Sequence, residues 1–315
     1  MSNIVLKLSP QLCKEVEQMY AEHKVIRNAP GVVFAAKLHD TTVTVYKSGK
    51  VMFQGNGAER EASRFGEIPD TSNRSKQITK SKGDSLPENF ATYSVIGSDE
   101  TGTGDYVGPV TVAAVYVPKN KIELLQELCV QDSNILTDQA MREIAPNIIQ
   151  SCTHSILTLR NEKYNAIQSK GYSQGKIKAL LHNQALKHVL NKIAPETPDY
   201  ILIDQFAERN TYYKYIENEK EIISENVLFA TKAEQLHVAV AAASILARYA
   251  FLVEMDRLSQ KVGFNLQKGA SHLVDEMAAK IWLQHGEETL RSVSKWHFSN
   301  TEKARKIALK KKGNI

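Results

Sequence analysis

The sequence predicts an α/β protein in which helices pack on a mixed β-sheet, preceded by a smaller α+β unit. Short β-rich segments alternate with helical ones along most of the 315 residues, which is typical of a sheet covered by helices. A polar stretch, residues 66–90, has the composition of a linker and separates two parts that each contain apolar segments. The content of 42% apolar and 24% charged residues is that of a globular protein with a sizeable core.

The first part, residues 1–65, is predicted to be the small α+β unit. Residues 4–8 alternate like a strand, and Ser9 followed by Pro10 is a start signal for a helix that extends to about residue 21. Three β-rich segments follow with turn residues between them, which indicates an antiparallel meander. These segments cover residues 31–38, 41–46 and 50–54, and a short helix is predicted near 59–65.

The second part, residues 91–315, is predicted to hold the mixed sheet. Five short segments rich in β-forming residues predict strands. They cover residues 93–98, 110–117, 151–159, 200–203 and 227–229. Apolar residues at helical spacing predict four helices between and after these strands. The helices cover about 121–128, 138–149, 174–192 and 237–261.

The charge of the chain is compatible with a nucleic-acid partner without establishing one. The net charge is +5 and the pI is near 8.9, values that many small-molecule enzymes share. Six basic residues fall within the last thirteen positions, and a solvated tail or a set of phosphate contacts would explain them equally well. They are Lys303, Arg305, Lys306, Lys310, Lys311 and Lys312.

Cysteine content and hydropathy indicate a cytoplasmic protein without a membrane anchor. Cys13, Cys129 and Cys152 are far apart, and no Cys or His spacing suits zinc, so neither a disulfide framework nor a zinc site is predicted. Such a chain fits a reducing compartment, and the first ten residues lack a signal-peptide pattern. The longest apolar run, residues 238–247, is too short to span a bilayer.

The segment SDETGTGDYVGP, residues 98–109, is the strongest local signal of a functional site. An apolar strand delivers two adjacent carboxylates, Asp99 and Glu100, into a loop with several glycines. Neighbouring side chains on a strand point to opposite faces, but glycines directly after the pair allow enough twist for both acids to reach one site. The glycines also let backbone N–H groups approach a ligand closely. Taken alone, the segment is explained equally well as a polar hairpin turn.

Two further acids stand where an α/β fold places ligands. Asp204 ends an apolar strand, and ligands of open α/β sheets gather beyond the carboxyl ends of the strands. Glu234 and His237 precede a long Ala-rich helix. Asp204 could instead be a loop or capping acid, and an acid at a helix start is favoured for electrostatic reasons alone. The small residues of the helix are explained by close packing against the sheet.

Together, Asp99, Glu100, Asp204 and Glu234 supply four carboxylates to a fold that could bring them together. A set of oxygen donors without obligatory Cys or His suits the hard cations Mg²⁺ and Mn²⁺. Two such ions about 3.5–4 Å apart are the standard arrangement for phosphodiester hydrolysis. Because crowded carboxylates repel each other, bound cations would make their joint ionisation tolerable.

These motifs resemble the ribonuclease H type 2 family. That family has an acidic pair followed by a Gly-x-Gly loop and a Gly-Pro, then an Asp-Ser segment, a strand-terminal Asp, and a Lys-Ala-acid segment before an AAASILA helix. The matching residues occur in the same order over about residues 91–250. They are Asp99, Glu100, Gly102, Thr103, Gly104, Gly108, Pro109, Asp132, Ser133, Asp204, Lys232, Ala233, Glu234 and residues 241–247.

Within that family, the chain is similar to the ribonuclease HIII branch. Its fourth acid is Glu234, where ribonuclease HII has Asp, and Thr103 stands where ribonuclease HII has Arg. Segments 178–186, 264–271 and 295–301 also resemble that branch, as does the N-terminal extension.

The resemblance implies a ribonuclease H-like mixed sheet with flanking helices, preceded by a small domain similar to the TATA-box-binding protein. It implies a monomeric endonuclease that cuts the RNA strand of RNA/DNA hybrids with two Mg²⁺ or Mn²⁺ ions and leaves 5′-phosphate and 3′-hydroxyl ends. Residues 1–65 would be a substrate-binding domain, 66–90 a linker and 91–315 the catalytic domain.

The same resemblance assigns roles to individual residues. Asp99, Glu100, Asp204 and Glu234 would hold the metal ions. The substrate contacts would come from Gly102, Thr103, Gly104 and Ser133, with the loop lying near the 2′-hydroxyl groups that distinguish RNA from DNA.

Two alternative functions stay open. Incision at single ribonucleotides, as in ribonuclease HII, is disfavoured by Thr103 and Glu234. A non-catalytic hybrid-binding protein is disfavoured because all four acids are present.

Two further observations concern the substrate contacts. Asn134 follows Ser133 where many relatives have lysine, which removes an expected phosphate contact. His182 and His297 are predicted to complete a packed surface rather than to contact substrate.

Overall fold

In the computed structural model, which describes residues 2–26, 32–66, 83–128 and 136–313, the chain divides between residues 79 and 80 into two units. The division falls inside the stretch predicted as a linker. Residues 83–90 of that stretch nevertheless belong to the larger unit. The Asp84 carboxylate accepts hydrogen bonds from Arg209 Nη2 at 2.5 Å and from the Phe229 N–H at 2.8 Å, which fixes the start of that unit.

The smaller unit is a four-stranded antiparallel sheet with two helices on one face. The strands are β1 (Ser2–Lys7), β2 (Val32–Lys37), β3 (Thr41–Tyr46) and β4 (Lys50–Gly55), in the order β1-β4-β3-β2. The helices are α1 (Pro10–Met19) and α2 (Ala58–Ala62). Ser9 Oγ caps α1 by accepting from the Leu12 N–H at 3.3 Å, as the sequence predicts. Val16 of α1 and Phe53 of β4 are fully buried in the core between helices and sheet.

The larger unit contains the predicted mixed sheet. Its strands are β5 (Val95–Thr101), β6 (Val110–Val117), β7 (Thr153–Leu159), β8 (Tyr200–Asp204) and β9 (Val227–Ala230), in the order β7-β6-β5-β8-β9. β6 is antiparallel to both β5 and β7, whereas β8 is parallel to β5 and to β9. β5 and β8 therefore end at the same edge, which brings their last residues together.

Eight helices of the described residues surround this sheet. They are α3 (Ile122–Glu127), α4 (Asp138–Ser151), α5 (Asn161–Gln168), α6 (Gln174–Ile193), α7 (Arg209–Ile216), α8 (Val238–Val262), α9 (His272–Val293) and α10 (Asn300–Gly313). α8 and α4 cover one face, and α6 covers the other. At Gly97 of β5, a Cβ would lie 2.3 Å from the backbone of Ala239, so the start of α8 approaches the strand closely because that residue is glycine.

Four of these helices are absent from the sequence prediction. α5 and α7 have eight residues each, which is too short for a periodic apolar pattern to identify a helix. α10 buries little more than Ala304 and Ala308 along a lysine-rich sequence. Of the two explanations given for the basic residues at 303–312, the solvated tail is excluded, because these residues form most of a helix that packs on α9.

α8 is long and apolar enough to cross a bilayer by length and composition alone. Most of it is buried inside the larger unit, between the sheet and α4, so it is a core helix.

Candidate active site

The carboxyl ends of β5 and β8 open onto a cavity of about 490 Å³. Its lining includes all four acids singled out in the sequence, namely Asp99, Glu100, Asp204 and Glu234. Gly102, Thr103 and Gly104 line the same cavity. Ser133 lies outside the described residues.

Asp99 and Glu100 reach this cavity from opposite faces of β5. Ser98 and Glu100 point towards α6, where both contact His182. Asp99 points towards α8, where Ser244 donates a hydrogen bond to it. The alternation of a regular strand is therefore kept, and both acids meet because the cavity extends over the end of the strand.

Glu100 is held on both of its oxygens. Lys178 Nζ lies 2.8 Å from Oε1, and His182 Nε2 lies 2.9 Å from Oε2. His182 is fully buried, and its Nδ1 lies 2.6 Å from Ser98 Oγ. Burial acts to raise the pKa of Glu100, but the His182 hydrogen bond and the charges of His182 and Lys178 outweigh it and hold that pKa below its ordinary value. His182 is packed inside the protein, as predicted, and in addition it contacts a candidate metal ligand.

Asp99 and Asp204 have the opposite electrostatic character. Burial raises the pKa of Asp99 well above its ordinary value, and repulsion by Glu100 and Asp204 adds to that increase. Burial also raises the pKa of Asp204, although its Oδ1 accepts a hydrogen bond from the Ala233 N–H at 3.0 Å. The cavity thus concentrates negative charge that a bound cation would stabilise.

Glu234 lies in a single 3-10 turn, Ala233–Gln235, between β9 and α8. Lys232, which precedes the turn, has a left-handed backbone with φ 57°. That reversal directs the chain from the end of β9 to the cavity, where Glu234 is half-buried in the lining.

His237 has a structural role at the start of α8. Its Nδ1 accepts from the Ala239 N–H at 3.0 Å, so the proton is on Nε2, which donates to the Tyr93 carbonyl at 3.1 Å. The ring is 2% exposed, and burial lowers its pKa to about 4. A neutral imidazole therefore caps the helix, and His237 is not in the cavity lining.

We expect His237 to make the stability of the larger unit fall in weak acid. The unfolded pKa is near 6.5, so between pH 6.5 and 4 the unfolded chain binds more protons than the folded one. The contribution of His237 to the free energy of unfolding is complete above pH 6.5. It decreases by up to about 3 kcal/mol as the pH falls towards 4. His237→Asn keeps a helix-capping side chain that does not titrate, so its denaturation free energy should vary less with pH over this window. Equal slopes for both proteins would contradict the assignment.

The loop after β5 is held from two sides. Gln174, in the first turn of α6, donates from Nε2 to the Thr103 carbonyl at 2.8 Å. On the other side, the Lys295 amino group donates to the carbonyls of Asp105 at 2.8 Å and Gly108 at 2.6 Å. The loop therefore has a defined path along the cavity.

Two cationic side chains lie on the rim of the acidic cavity. Arg248 of α8 and Lys268 both line it, and both form ion pairs with Asp138 at the start of α4. They are the described cations of the lining that a substrate phosphate could meet.

The sequence interpretation did not identify Gln174, Lys178 or the role of His182. The three residues lie four positions apart on α6, so they share one face of the helix. The sequence signal that could have identified them is the recurrence of polar residues at every fourth position among apolar residues that face the sheet.

The donor set fits hard divalent cations. The four carboxylates offer only oxygen, and two of them have raised pKa values that a cation would offset. Among the described ranges, no three Asp, Glu, His or Cys side chains already close around a single point. The acids are instead distributed around a cavity with room for ions that keep water and substrate oxygens as further ligands.

A mixed sheet flanked by helices, with carboxylates gathered at the ends of two adjacent strands, defines a nuclease of the ribonuclease H-like class. Residues 96–301 match the family model for ribonuclease HII. Residues 3–78 match a domain of unknown function (DUF3378). The chain belongs to the ribonuclease HII family, and its relatives specify the ribonuclease HIII branch.

Those relatives align along their whole length. A ribonuclease HIII from Lysinibacillus sphaericus is 64% identical over 98% of this chain and 100% of its own. A ribonuclease HIII from Bacillus pumilus is 50% identical over 97% of this chain and 99% of its own. The crystal structure of Bst-RNase HIII in complex with Mn²⁺ has 43% identity and a TM-score of 0.72, covering 98% of this chain and 100% of that one.

Proposed function

We propose that this chain hydrolyses the RNA strand of RNA/DNA hybrids, with Asp99, Glu100, Asp204 and Glu234 holding two Mg²⁺ or Mn²⁺ ions. It is an endoribonuclease of the ribonuclease H class. The observation that carries the proposal is the convergence of these four acids on one cavity beside a glycine loop. The products would be 5′-phosphate and 3′-hydroxyl ends.

The side chains of the cavity would have different roles in this reaction. Asp99, which lies near enough to Glu100 and Asp204 to be repelled by both, would hold metal together with them. Lys178 and His182 would keep Glu100 ionised and oriented towards the cavity. When bound, the ions supply Lewis-acid stabilisation of the phosphate and lower the pKa of the attacking water.

The remaining lining would position the nucleic acid. Arg248 and Lys268, on the rim, would contact phosphates next to the one that is cut. Residues 102–104 would meet the RNA strand near its 2′-hydroxyl groups. Ser133 is proposed as a further contact on the strength of its motif alone.

A panel of labelled substrates tests the proposed function. We expect cleavage of a continuous RNA/DNA hybrid in Mg²⁺ or Mn²⁺, and little cleavage of single-stranded RNA or duplex RNA. DNA with one embedded ribonucleotide should be cut poorly, because Thr103 replaces the Arg of ribonuclease HII. Efficient incision at that lone site would assign a ribonuclease HII-type specificity, and binding without hydrolysis of the hybrid would indicate a non-catalytic protein.

Two glycines of the loop allow a sharp test of substrate contact. Gly102 has φ 93°, and a Cβ there would lie 2.2 Å from the Pro109 carbonyl, so Gly102→Ala should cost on the order of 2 kcal/mol of stability. Gly104 lies outside the left-handed region, and a Cβ there would meet open space. The protein itself therefore does not require glycine at position 104, although this residue lines the cavity.

We expect Gly104→Ala to leave the melting temperature nearly unchanged and to raise KM for the hybrid about tenfold, because the added methyl group occupies space meant for substrate. Steady-state kinetics and thermal denaturation of both variants make the comparison. An unchanged KM for Gly104→Ala would remove the loop from the substrate-binding surface.

The smaller unit is proposed to bind the duplex through the lysines on the sheet face opposite its helices. None of its four strands contains Asp or Glu. Leu6, Val51 and Ala36 face the helices, so by alternation Lys7 and Lys50 face the opposite side, and so does Lys37. Among the described residues of this unit, the acids lie in the helices and turns, so the described side chains of this sheet face carry a surplus positive charge.

We further propose a monomer that acts in the cytoplasm. The described cysteines, Cys13 and Cys152, are free and buried, as suits a reducing compartment. A mass measurement in solution, repeated with a hybrid bound, tests the monomer.

A further inference from the structure

Lys295, in the connection between α9 and α10, is a fully buried amino group that the proposed chemistry does not use. Its Nζ donates to the carbonyls of Asp105 and Gly108, at 2.8 and 2.6 Å. Burial lowers its pKa to about 7, against the attraction of the Asp105 carboxylate. Packing alone does not account for this residue, because a side chain such as Met would fill a similar volume without the cost of burying an amino group.

The backbone around Lys295 holds the same part of the loop. The Lys295 N–H donates to the Tyr106 carbonyl at 2.8 Å, and the Gly108 N–H donates to the Val293 carbonyl at 2.9 Å. Residues Val107 and Ser294 form a bridge between these two bonds. The segment therefore pairs with residues 106–108 as a short antiparallel ladder, directly behind the loop that lines the cavity.

The peptide between Asp105 and Tyr106 is fixed at both of its ends. Its carbonyl accepts from Lys295 Nζ, while its N–H donates to the Gly269 carbonyl at 2.9 Å. The Gly108 carbonyl is also bound twice, by Lys295 and by Asn161 Nδ2 at 2.8 Å. These bonds fix the exit of the loop, as Gln174 fixes its middle.

We propose that Lys295 is a positioning residue for substrate: by fixing the carbonyls of Asp105 and Gly108 from inside the protein, it sets the path on which residues 102–104 meet the RNA strand. This inference rests on the proposed function of the loop. A neutral amine keeps two N–H groups, so both bonds persist whether or not the third proton is bound. The role is therefore one of hydrogen bonding and does not require the positive charge.

The test replaces Lys295 in the full chain and separates substrate binding from metal binding. Lys295→Met keeps the volume and removes both donors, and we expect KM for an RNA/DNA hybrid to rise about tenfold or more. Mn²⁺ affinity, measured by its electron paramagnetic resonance signal, should change less than about twofold, because the four acids are not touched. Amide hydrogen exchange of residues 102–108 should accelerate.

Two further variants make the result decisive. Lys295→Gln keeps two N–H donors on a shorter side chain, so its KM should lie between those of the wild type and Lys295→Met. This variant also provides the test if Lys295→Met does not fold. Lys261→Met is the matched control, since exposed Lys261 donates to Ser292 Oγ at 2.8 Å and does not line the cavity; its KM should stay at the wild-type value.

An unchanged KM in folded Lys295→Met, or equal loss of Mn²⁺ affinity and substrate affinity, would overturn the inference. If the unaltered protein itself did not cleave the hybrid, the proposed function would fail instead, so the two failures are distinguishable.

Discussion

Replacing Asp99 with Asn is expected to abolish RNA cleavage while raising the melting temperature of the metal-free protein. The loss of activity should exceed the roughly 10–100-fold effect typical of residues that only support metal ligands. The gain in stability follows from the raised pKa of Asp99, which burial and the nearby acids cause. Above the unfolded pKa, the folded chain binds more protons than the unfolded one, so ionised Asp99 opposes folding at neutral pH. Asn removes that charge, and its Oδ1 can still accept the Glu100 N–H.

Thermal denaturation in chelator and in Mn²⁺ provides the second measurement. Mn²⁺ should stabilise the unaltered protein and have a much smaller effect on Asp99→Asn, because a ligand that binds only the folded state stabilises it in proportion to its affinity. Asp256→Asn is the matched control, since this acid is largely exposed and pairs with Arg142. Turnover near the wild-type value in Asp99→Asn would refute the metal-binding assignment.

Deletion of the smaller unit is expected to raise KM by an order of magnitude or more while leaving the chemistry in place. The four acids lie in the larger unit, which has its own cores. Residues 1–65 carry nine Lys and Arg against six Asp and Glu, a net of +3, so the lost affinity should be electrostatic. If the three lysines on the sheet face opposite the helices contact phosphates, the full chain should show a log–log salt slope steeper by about 2–3 than the truncated chain.

The start point of the truncated chain matters. A chain that begins at residue 80 keeps Asp84, with its bonds to Arg209 and the Phe229 N–H, whereas one that begins at residue 91 loses them. The longer form should therefore be the more stable of the two, with the same kcat. An unchanged KM in the longer form, or parallel salt slopes, would show that the smaller unit only stabilises the larger one.

The fold class and all strands of the larger unit could be predicted, because β-branched residues and apolar periodicity determine them locally. Strand ends were shifted by one to three residues, as with Ser151, which continues α4 instead of starting β7. Of the helices that were missed, α10 buries a small face under a lysine-rich sequence, whereas α9 buries a longer apolar face that the sequence prediction overlooked. Their stability comes from tertiary packing, to which a search for amphipathic periods is insensitive.

The four acids could be selected from sequence because Asp99, Glu100 and Asp204 follow apolar strands, and because Glu234 precedes a long Ala-rich helix. Their partners Lys178 and His182 could not be selected from sequence, because they contact Glu100 only when α6 packs against β5. The role of Lys295 is even harder to predict from sequence. It is separated from the loop it holds by almost 190 residues, and a lysine near a basic C-terminus gives no local sign of complete burial.

Asp99 and Glu100 are neighbours in the chain, yet each side chain faces a different hydrophobic core, one beneath α8 and the other beneath α6. Their separation is therefore set by the covalent geometry of a single strand, whereas their orientations depend on two independent sets of packing contacts. A substitution in one core can therefore reorient one acid while the packing behind the other stays the same. Substitutions in either core would then change how rigidly one acid is held, while the backbone spacing of the pair stays constant.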